Sequence, residues 1–299
     1  MGFNEIEISI ALIGDNSEYI CLQRNKFPYK GHIEFPGGKS NESETPDKCL
    51  EREIYEELDI ILKKYNYLGC IKHLYGDVLI KINIYKIFKY IGKIKSRENR
   101  KIVKYSSDKT ISILPTHNRI LRLLNLPRLL KILTVDNFEK NHYINLSCYG
   151  AIRLRGIDYN YYVNNIKKTL ISQRYSGKLI IDYQYSSEWD DSFDGIHYSS
   201  NYIDKLIINK SDSPLIHSAS CHTIDDIKSC NEKLYDFILV SPVKQTHSNY
   251  KIIDWEGFAK FSKESYVPTY ALGGISSKGE DYKLSIENYG FGIAGISTF

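Results

Sequence analysis

The stretch "EFPGGKSNESETPDKCLEREIYEEL" (residues 34–58) decides how the first part of this chain is read. A Pro-Gly-Gly turn is followed by a helix start, with Thr45 as a fitting N-cap and Pro46 at the first helical position. At about 100° per residue, Glu53, Glu56 and Glu57 fall within one sector of roughly 100°, and Leu50, Ile54 and Leu58 within a neighbouring one. Such a helix can bury its apolar stripe and keep its carboxylates at the edge of a domain. Like charges three and four residues apart weaken a helix by about 0.2–0.5 kcal/mol per pair. The cluster therefore calls for a neutralising partner, and a divalent cation would serve. Carboxylate-only coordination suits Mg²⁺ or Mn²⁺. Gly37 and Gly38 permit a tight turn that brings backbone amides and carbonyls to the same spot.

Outward from this helix, "IEISIALIG" (6–14) and "EYICLQR" (18–24) read as a hairpin around "DNS". "VLIKINIYKIFKY" (78–90) alternates as a strand, and "NRILRLLN" (118–125) reads as a short closing helix before Pro127. Beyond about residue 128 the texture changes. Short apolar runs at 131–137, 149–156, 177–183, 194–199, 215–221, 237–243, 267–275 and 290–298 are separated by helical patterns, clearest at 158–174, 223–235 and 253–265. Eight such repeats predict a (β/α)8 barrel. It is a shortened one: the 138–147 link leaves little room for a first helix, and the sequence given stops after the eighth strand. The expected architecture is α/β in two domains, 1–127 and 128–299. Bare barrel flanks would be covered by the N-terminal domain or by a second subunit.

Composition narrows the function classes. The 299 residues are 42% hydrophobic and 25% charged, which is ordinary for a globular protein. A net charge of +4 with Lys and Arg scattered among acids does not indicate binding to a nucleic acid polymer. Cys21, Cys49, Cys70, Cys148, Cys221 and Cys230 show neither CxxC nor metal-ligand spacing, so reduced thiols in the cytoplasm are expected. "MGFNEIEISI" lacks the basic start of a signal peptide, and no apolar run reaches a membrane-spanning length of about 18 residues.

Gly38, five residues, Glu44, seven residues, then Arg52-Glu53-Ile54-Tyr55-Glu56-Glu57-Leu58-Asp59-Ile60 resembles the Nudix box GX5EX7REUXEEXGU. Only the late Gly differs, here Asp59, a residue that tolerates the left-handed conformation ending the helix. The resemblance implies an α/β/α sandwich with a mixed sheet that hydrolyses a nucleoside diphosphate linked to another moiety, using Mg²⁺ or Mn²⁺. By position it makes Glu53 and Glu57 metal ligands with Glu56 assisting, and the Gly37 carbonyl completes the shell. Arg52 would orient Glu53, Lys39 would lie near the phosphates, and Glu98 in "KSRENRK" would serve as base unless it is simply a solvated surface acid.

"IEFPGGK" (33–39) and "LPTHNRIL" (114–121) resemble the MutT branch, which hydrolyses 8-oxo-dGTP to the monophosphate. That resemblance makes Asn118 the reader of the purine edge, the alternative being an N-cap of the helix that follows. Arg24, Glu34, Phe35, Pro36, Gly37 and Gly38 fall on the substrate side, with Phe35 and Pro36 lining the base pocket and Arg24 near the nucleotide or else on an ordinary surface. A departure is Gly76-Asp77-Val78, where the branch often carries a cation. The implied reaction is hydrolysis of 8-oxo-dGTP to monophosphate and pyrophosphate. Another nucleotide, or thiamine pyrophosphate, is the alternative substrate.

"DGIHYS", "SASCHT", "SPVKQTHSN", "ALGGI" and "GIAGIS" resemble, in order, motifs of thiamine phosphate synthase and its regulator-like relatives. Phosphate-cradling positions survive at Ser220, Thr246, Ser248, Gly274 and Ser297. The implied metal acids do not: Tyr183 and Tyr202 stand in their places, Asn249 replaces a lysine, and Ile157 replaces another beside the retained Arg155. A non-catalytic barrel that binds a ligand or acts as a scaffold is expected. His197, His217 and His222 read either as a metal site or as strand-end histidines with local hydrogen bonds.

Overall fold

The computed structural model describes residues 4–15, 18–106, 112–140, 144–189, 193–206, 213–233, 235–246 and 250–297. The chain divides into two units between Leu124 and Asn125. In the first, β1 (Asn4–Ile13) pairs in parallel with β6 (Val78–Ile91) and antiparallel with β4 (Gly37–Lys39), and β5 (Ile61–Tyr75) adds an antiparallel edge, giving a mixed sheet of order β4-β1-β6-β5. A second sheet of order β3-β2-β7 joins β3 (Ile33–Glu34), β2 (Tyr19–Gln23) and β7 (Ile102–Tyr105). The expected hairpin between the first two strands does not form: they share a single bridge, Gly14–Tyr19, and then part into different sheets. Gly14 marks the break, since at φ 136° a Cβ would lie 2.1 Å from the Glu18 carbonyl oxygen.

Helix α1 (Pro46–Leu58) follows the predicted stripe. Leu50, Ile54 and Leu58 are buried with Ala11, Ile13, Leu22, Ile60 and Ile87 in one cluster. Thr45 stands at the N-cap, but its side chain makes no capping bond. Asp59 ends the helix left-handed (φ 59°, ψ 34°), its N–H donating to the Tyr55 carbonyl, so the change from Gly leaves the helix end intact. Helix α2 (Pro115–Leu124) starts three residues before the predicted 118. Asn118 therefore lies in its first turn and does not N-cap it.

The second unit is a closed, all-parallel barrel of order β10-β11-β12-β13-β14-β15-β8-β9. Its strands are β8 (Leu129–Leu133), β9 (Ala151–Leu154), β10 (Lys178–Asp182), β11 (Gly195–Tyr198), β12 (Ile216–Cys221), β13 (Phe237–Val240), β14 (Thr269–Ala271) and β15 (Gly292–Gly295); the last seven lie within their predicted runs, and β8 starts two residues before its own, 131–137. The reduced helical layer is also present. Among the described residues, only the six residues Val135–Lys140 form a helix between β8 and β9, and 3-10 segments, Tyr183–Glu188 and Ser200–Lys205, follow β10 and β11. Ile152, Leu154, Ile181, Ile238, Val240 and Ile293 join the cluster that includes the helix residues Ile166, Leu170, Ile227 and Phe258. The alternate positions Arg153, Asp182, His197, Ser218 and Ser220 belong to the opposite face of the strands and give it a polar lining.

Candidate active site

Strand β4 and helix α1 build the site between them. A Cβ at Gly37 (φ 136°) would lie 2.0 Å from the Ser9 carbonyl oxygen, and a Cβ at Gly38 would lie 2.3 Å from Glu53 Oε2. Glycine at 37 is what lets the strand approach β1 so closely, and glycine at 38 leaves room for the Glu53 carboxylate where it lies. Glu57 reaches the same strand: its Oε2 accepts the Gly37 N–H at 2.8 Å. Two carboxylates from adjacent turns of α1 thus meet the Gly37–Gly38 backbone.

Arginines answer the clustered negative charge. Arg52 donates from Nε and Nη2 to the two oxygens of Glu44 (2.9 and 2.8 Å), from Nη1 to Glu53 Oε1 (2.7 Å) and Glu56 Oε2 (3.2 Å), and from Nη2 to the Lys39 carbonyl (3.0 Å). Its guanidinium and the Asn41 N–H hold the Glu44 carboxyl down at about 2. Arg100 Nη1 donates to Glu57 Oε1 at 2.6 Å, and its Nη2 contacts Glu34 Oε1. Glu57 is 5% exposed, not at the domain edge as the helical sector suggested. Burial pushes its carboxyl up to about 7, against the pull of the Gly37 N–H and Arg100 and with added repulsion from Glu98 and Glu53.

The other predicted residues fall as follows. Lys39 is exposed on β4. Glu98 is exposed, with Oε2 3.9 Å from Arg100 Nη1. Arg24 donates to Glu34 Oε2 at 3.0 Å and to the Pro28 carbonyl at 2.8 Å. Phe35 and Pro36 are both buried. The Phe35 ring stacks on His117 at 5.2 Å, and the Pro36 carbonyl accepts the Ala11 N–H. Asn118 is exposed, next in the chain to the buried His117.

Among the described residues no three acidic, histidine or cysteine side chains already converge on one point. The carboxylates fit a hard divalent cation by donor chemistry, and Glu53 and Glu57 share the β4 backbone, but each is engaged by an arginine. A cation would have to compete with Arg52 and Arg100 for them.

Residues 4–100 match the family model described as NUDIX domain. The 8-oxo-dGTP diphosphatase of Buchnera aphidicola subsp. Schizaphis graminum (strain Sg) is 35% identical over 98 residues, covering 33% of this chain and 73% of that protein. The chain belongs to the Nudix family. Its Nudix domain is followed, at 152–298, by a match to the model for thiamine monophosphate synthase. That part is similar to thiamine-phosphate synthase 2 of Aquifex aeolicus (strain VF5), a designation its own name marks as provisional. The two are 28% identical over 131 residues, 43% of this chain and 69% of that one. A solved thiamine phosphate pyrophosphorylase from Pyrococcus furiosus is 20% identical and covers 57% of this chain and 86% of its own, with a TM-score of 0.45.

The Nudix hydrolase carries one residue in its site that the motif does not reveal, Arg100. It sits two positions after Glu98 in a loop that reads as charged surface. The available signal was an acid count: Glu34, Glu53, Glu56 and Glu57 outnumber the one arginine of the motif.

In the barrel, Tyr183 stacks on Tyr198 at 4.9 Å and lies 5.5 Å from Tyr202. Tyr183, Tyr198 and Tyr202 thus form one aromatic cluster. Asp182, next to Tyr183, accepts from Arg153 Nε (2.8 Å) and the Gly156 N–H (3.0 Å). Ser220 is hydrogen-bonded to His197 at 2.8 Å. Gly274 has φ 65°, Thr246 lies near Gly273, Ser297 is exposed beyond β15, and Ser248 and Asn249 lie outside the described residues. His197, His217 and His222 have local partners in Ser218 and Ser220, in Tyr198 and Ser213, and in the Ser241 carbonyl. This is the hydrogen-bonded reading of the three. Among the described residues no helix is long and apolar enough to cross a membrane.

The buried histidines set a pH dependence. Burial and nearby Arg24 push His117 down to about 3, and burial with Arg153 and Arg155 pushes His197 well below its ordinary value. Unfolded histidine titrates near about 6.5, so the fold releases protons that the unfolded chain keeps below that pH. Their contribution to stability is complete above about 6.5 and lost as the pH falls through that value toward the depressed ones. Glu57, held up to about 7, takes up a proton over the same interval and opposes this loss, so in thermal melts the share of the histidines is a fall between about 6.5 and 5 superimposed on that gain. In His197→Gln that fall should be shallower, and an unchanged slope would mean that His197 carries a proton in the fold.

Proposed function

We propose that the Nudix domain hydrolyses an oxidised purine nucleoside triphosphate, 8-oxo-dGTP, to the monophosphate and pyrophosphate, with Mg²⁺ bound and Mn²⁺ as a substitute. The observation that carries the reading is the meeting of Glu53 and Glu57 on the Gly37–Gly38 backbone. Curated relatives of this half of the chain are named for the same activity.

Glu53, Glu57 and the Gly37 carbonyl would hold the ion, with Glu56 assisting. Bound there, it offsets phosphate charge and positions the reacting water. Arg52 fixes Glu53 by a charge-assisted bond and pins the helix to Glu44 and to the β4 carbonyl at Lys39. Lys39 brings an exposed cation to the phosphate side. As water adds to phosphorus and a bridging P–O bond breaks, Glu98 would accept the water's proton; it is exposed and electrostatically coupled to Glu57. Asn118 offers an amide that can both donate to and accept from a purine edge. His117, stacked on Phe35, fixes the start of the helix that carries it. Arg24 and Glu34 stand on the nucleotide side. The barrel is read as non-catalytic, with Tyr183 and Tyr202, clustered with Tyr198, standing where the resemblance implies metal acids. The enzyme would act in the cytoplasm, without a nucleic acid polymer or a membrane as partner.

A substrate panel in Mg²⁺ tests this. Wild type should prefer 8-oxo-dGTP over dGTP. Asn118→Ala should lose most of that preference in kcat/KM, by about tenfold or more, as expected for one lost bidentate contact. Equal preference in wild type and variant would point instead to another nucleoside diphosphate derivative or to thiamine pyrophosphate.

A further inference from the structure

Four charges of alternating sign run through the Nudix domain from its nucleotide side to its metal side. Arg24 Nη1 donates to Glu34 Oε2 at 3.0 Å, Arg100 contacts Glu34 Oε1 through Nη2, and Arg100 Nη1 donates to Glu57 Oε1 at 2.6 Å. The two members toward Glu57 are closed off from water: Arg100 is 8% and Glu57 6% exposed at the side chain, against 29% for Arg24. Arg100 is anchored by its own backbone N–H to Ser96 Oγ (2.8 Å), and its Nε approaches the Gln23 carbonyl, one residue before Arg24. Each carboxylate in the chain faces more than one donor, so gaining a partner at one end weakens a pairing further along.

We propose that this chain couples metal and nucleotide binding by partner exchange, with Arg100 as the positioning residue that transmits it. The inference rests on reading Glu57 as a metal ligand and Arg24 as a nucleotide contact. A divalent ion at Glu57 repels the Arg100 guanidinium and competes for its carboxylate. Arg100 then pairs fully with Glu34, and Glu34 releases Arg24 toward a phosphate. In the reverse direction, a nucleotide phosphate on Arg24 leaves Glu34 to Arg100 and frees Glu57 for the ion. Reciprocity requires the same factor in both directions.

The test is the Kd of Mn²⁺ for the full chain, by calorimetry or by electron paramagnetic resonance, with and without saturating dGMP. In wild type the nucleotide should tighten Mn²⁺ binding by about fivefold or more. Arg100→Gln and Glu34→Gln keep any direct contact between ion and phosphate but break the exchange. In each, the ratio of the two Kd values should fall at least about fivefold below wild type. General damage to the site would shift the individual affinities without removing their ratio. If Arg100→Gln does not fold, Glu34→Gln carries the same test. A ratio equal to wild type in the folded variants overturns the coupling while leaving the site reading intact. A wild-type chain that binds no Mn²⁺ overturns the site reading and the coupling with it.

Discussion

Glu53→Gln should lower turnover by about 10³-fold or more, on the scale of losing a main electrostatic contact to the reacting group, while the thermal melt stays near that of wild type. The expectation follows from where the side chain lies. Its carboxylate rests on the Gly38 backbone, too close for any Cβ, and an amide of the same shape fits that space. Arg52 loses one charged acceptor and keeps Glu44, Glu56 and the Lys39 carbonyl, so the helix remains tied to β4. What disappears is the negative charge that a divalent cation needs. Steady-state rates in Mg²⁺, paired with melts by circular dichroism, check both halves of the statement. A variant with near-normal rates would remove Glu53 from the chemistry.

Arg100→Met should be the largest loss of stability among single changes at the site, about 3–5 kcal/mol in urea unfolding, because it strands a buried charge. Among the described residues Glu57 would keep only the Gly37 N–H, and Glu34 only Arg24. Adding Glu57→Gln to Arg100→Met should recover part of the loss, since the stranded charge is then gone, and a double-mutant cycle would return a favourable coupling between the two residues. A loss below about 1 kcal/mol would place the pair with solvent-exposed ion pairs and undo the argument from burial.

The parts of the molecule that obey a simple period were open to reading from the residues. The stripe Leu50, Ile54, Leu58 and the left-handed stop at Asp59 are both in place. So are all eight barrel strands, whose buried runs are bounded by turn residues and helical patterns. Strand β5 was not legible. Register shifts at Leu62–Lys64, Lys64–Tyr65 and Tyr67–Gly69 break its alternation, and as an edge strand it presents polar residues on both sides. The hairpin expectation failed for a different reason: short sequence separation favours pairing, but beyond the Gly14–Tyr19 bridge β2 pairs with β3 and β7 in the other sheet. At the site, spacing along a helix located Glu53, Glu56 and Glu57 but said nothing about depth. Glu57 is buried because β4 and the loop bearing Arg100 close over it, and both contacts come from residues distant in the chain. Arg100 could not be assigned from a charged loop whose neighbours Lys95, Arg97 and Lys101 look equivalent in sequence; only the fold singles it out.

The measurement closest to the centre of the account is an anomalous difference map from crystals soaked in Mn²⁺ with nucleotide, taken for wild type and for Glu53→Gln. A peak at about 2.0–2.2 Å from carboxylate oxygens of Glu53 and Glu57 in wild type, lost or much weakened in the variant, is the predicted result. A wild-type map with no peak beside those glutamates, nucleotide present, would contradict it.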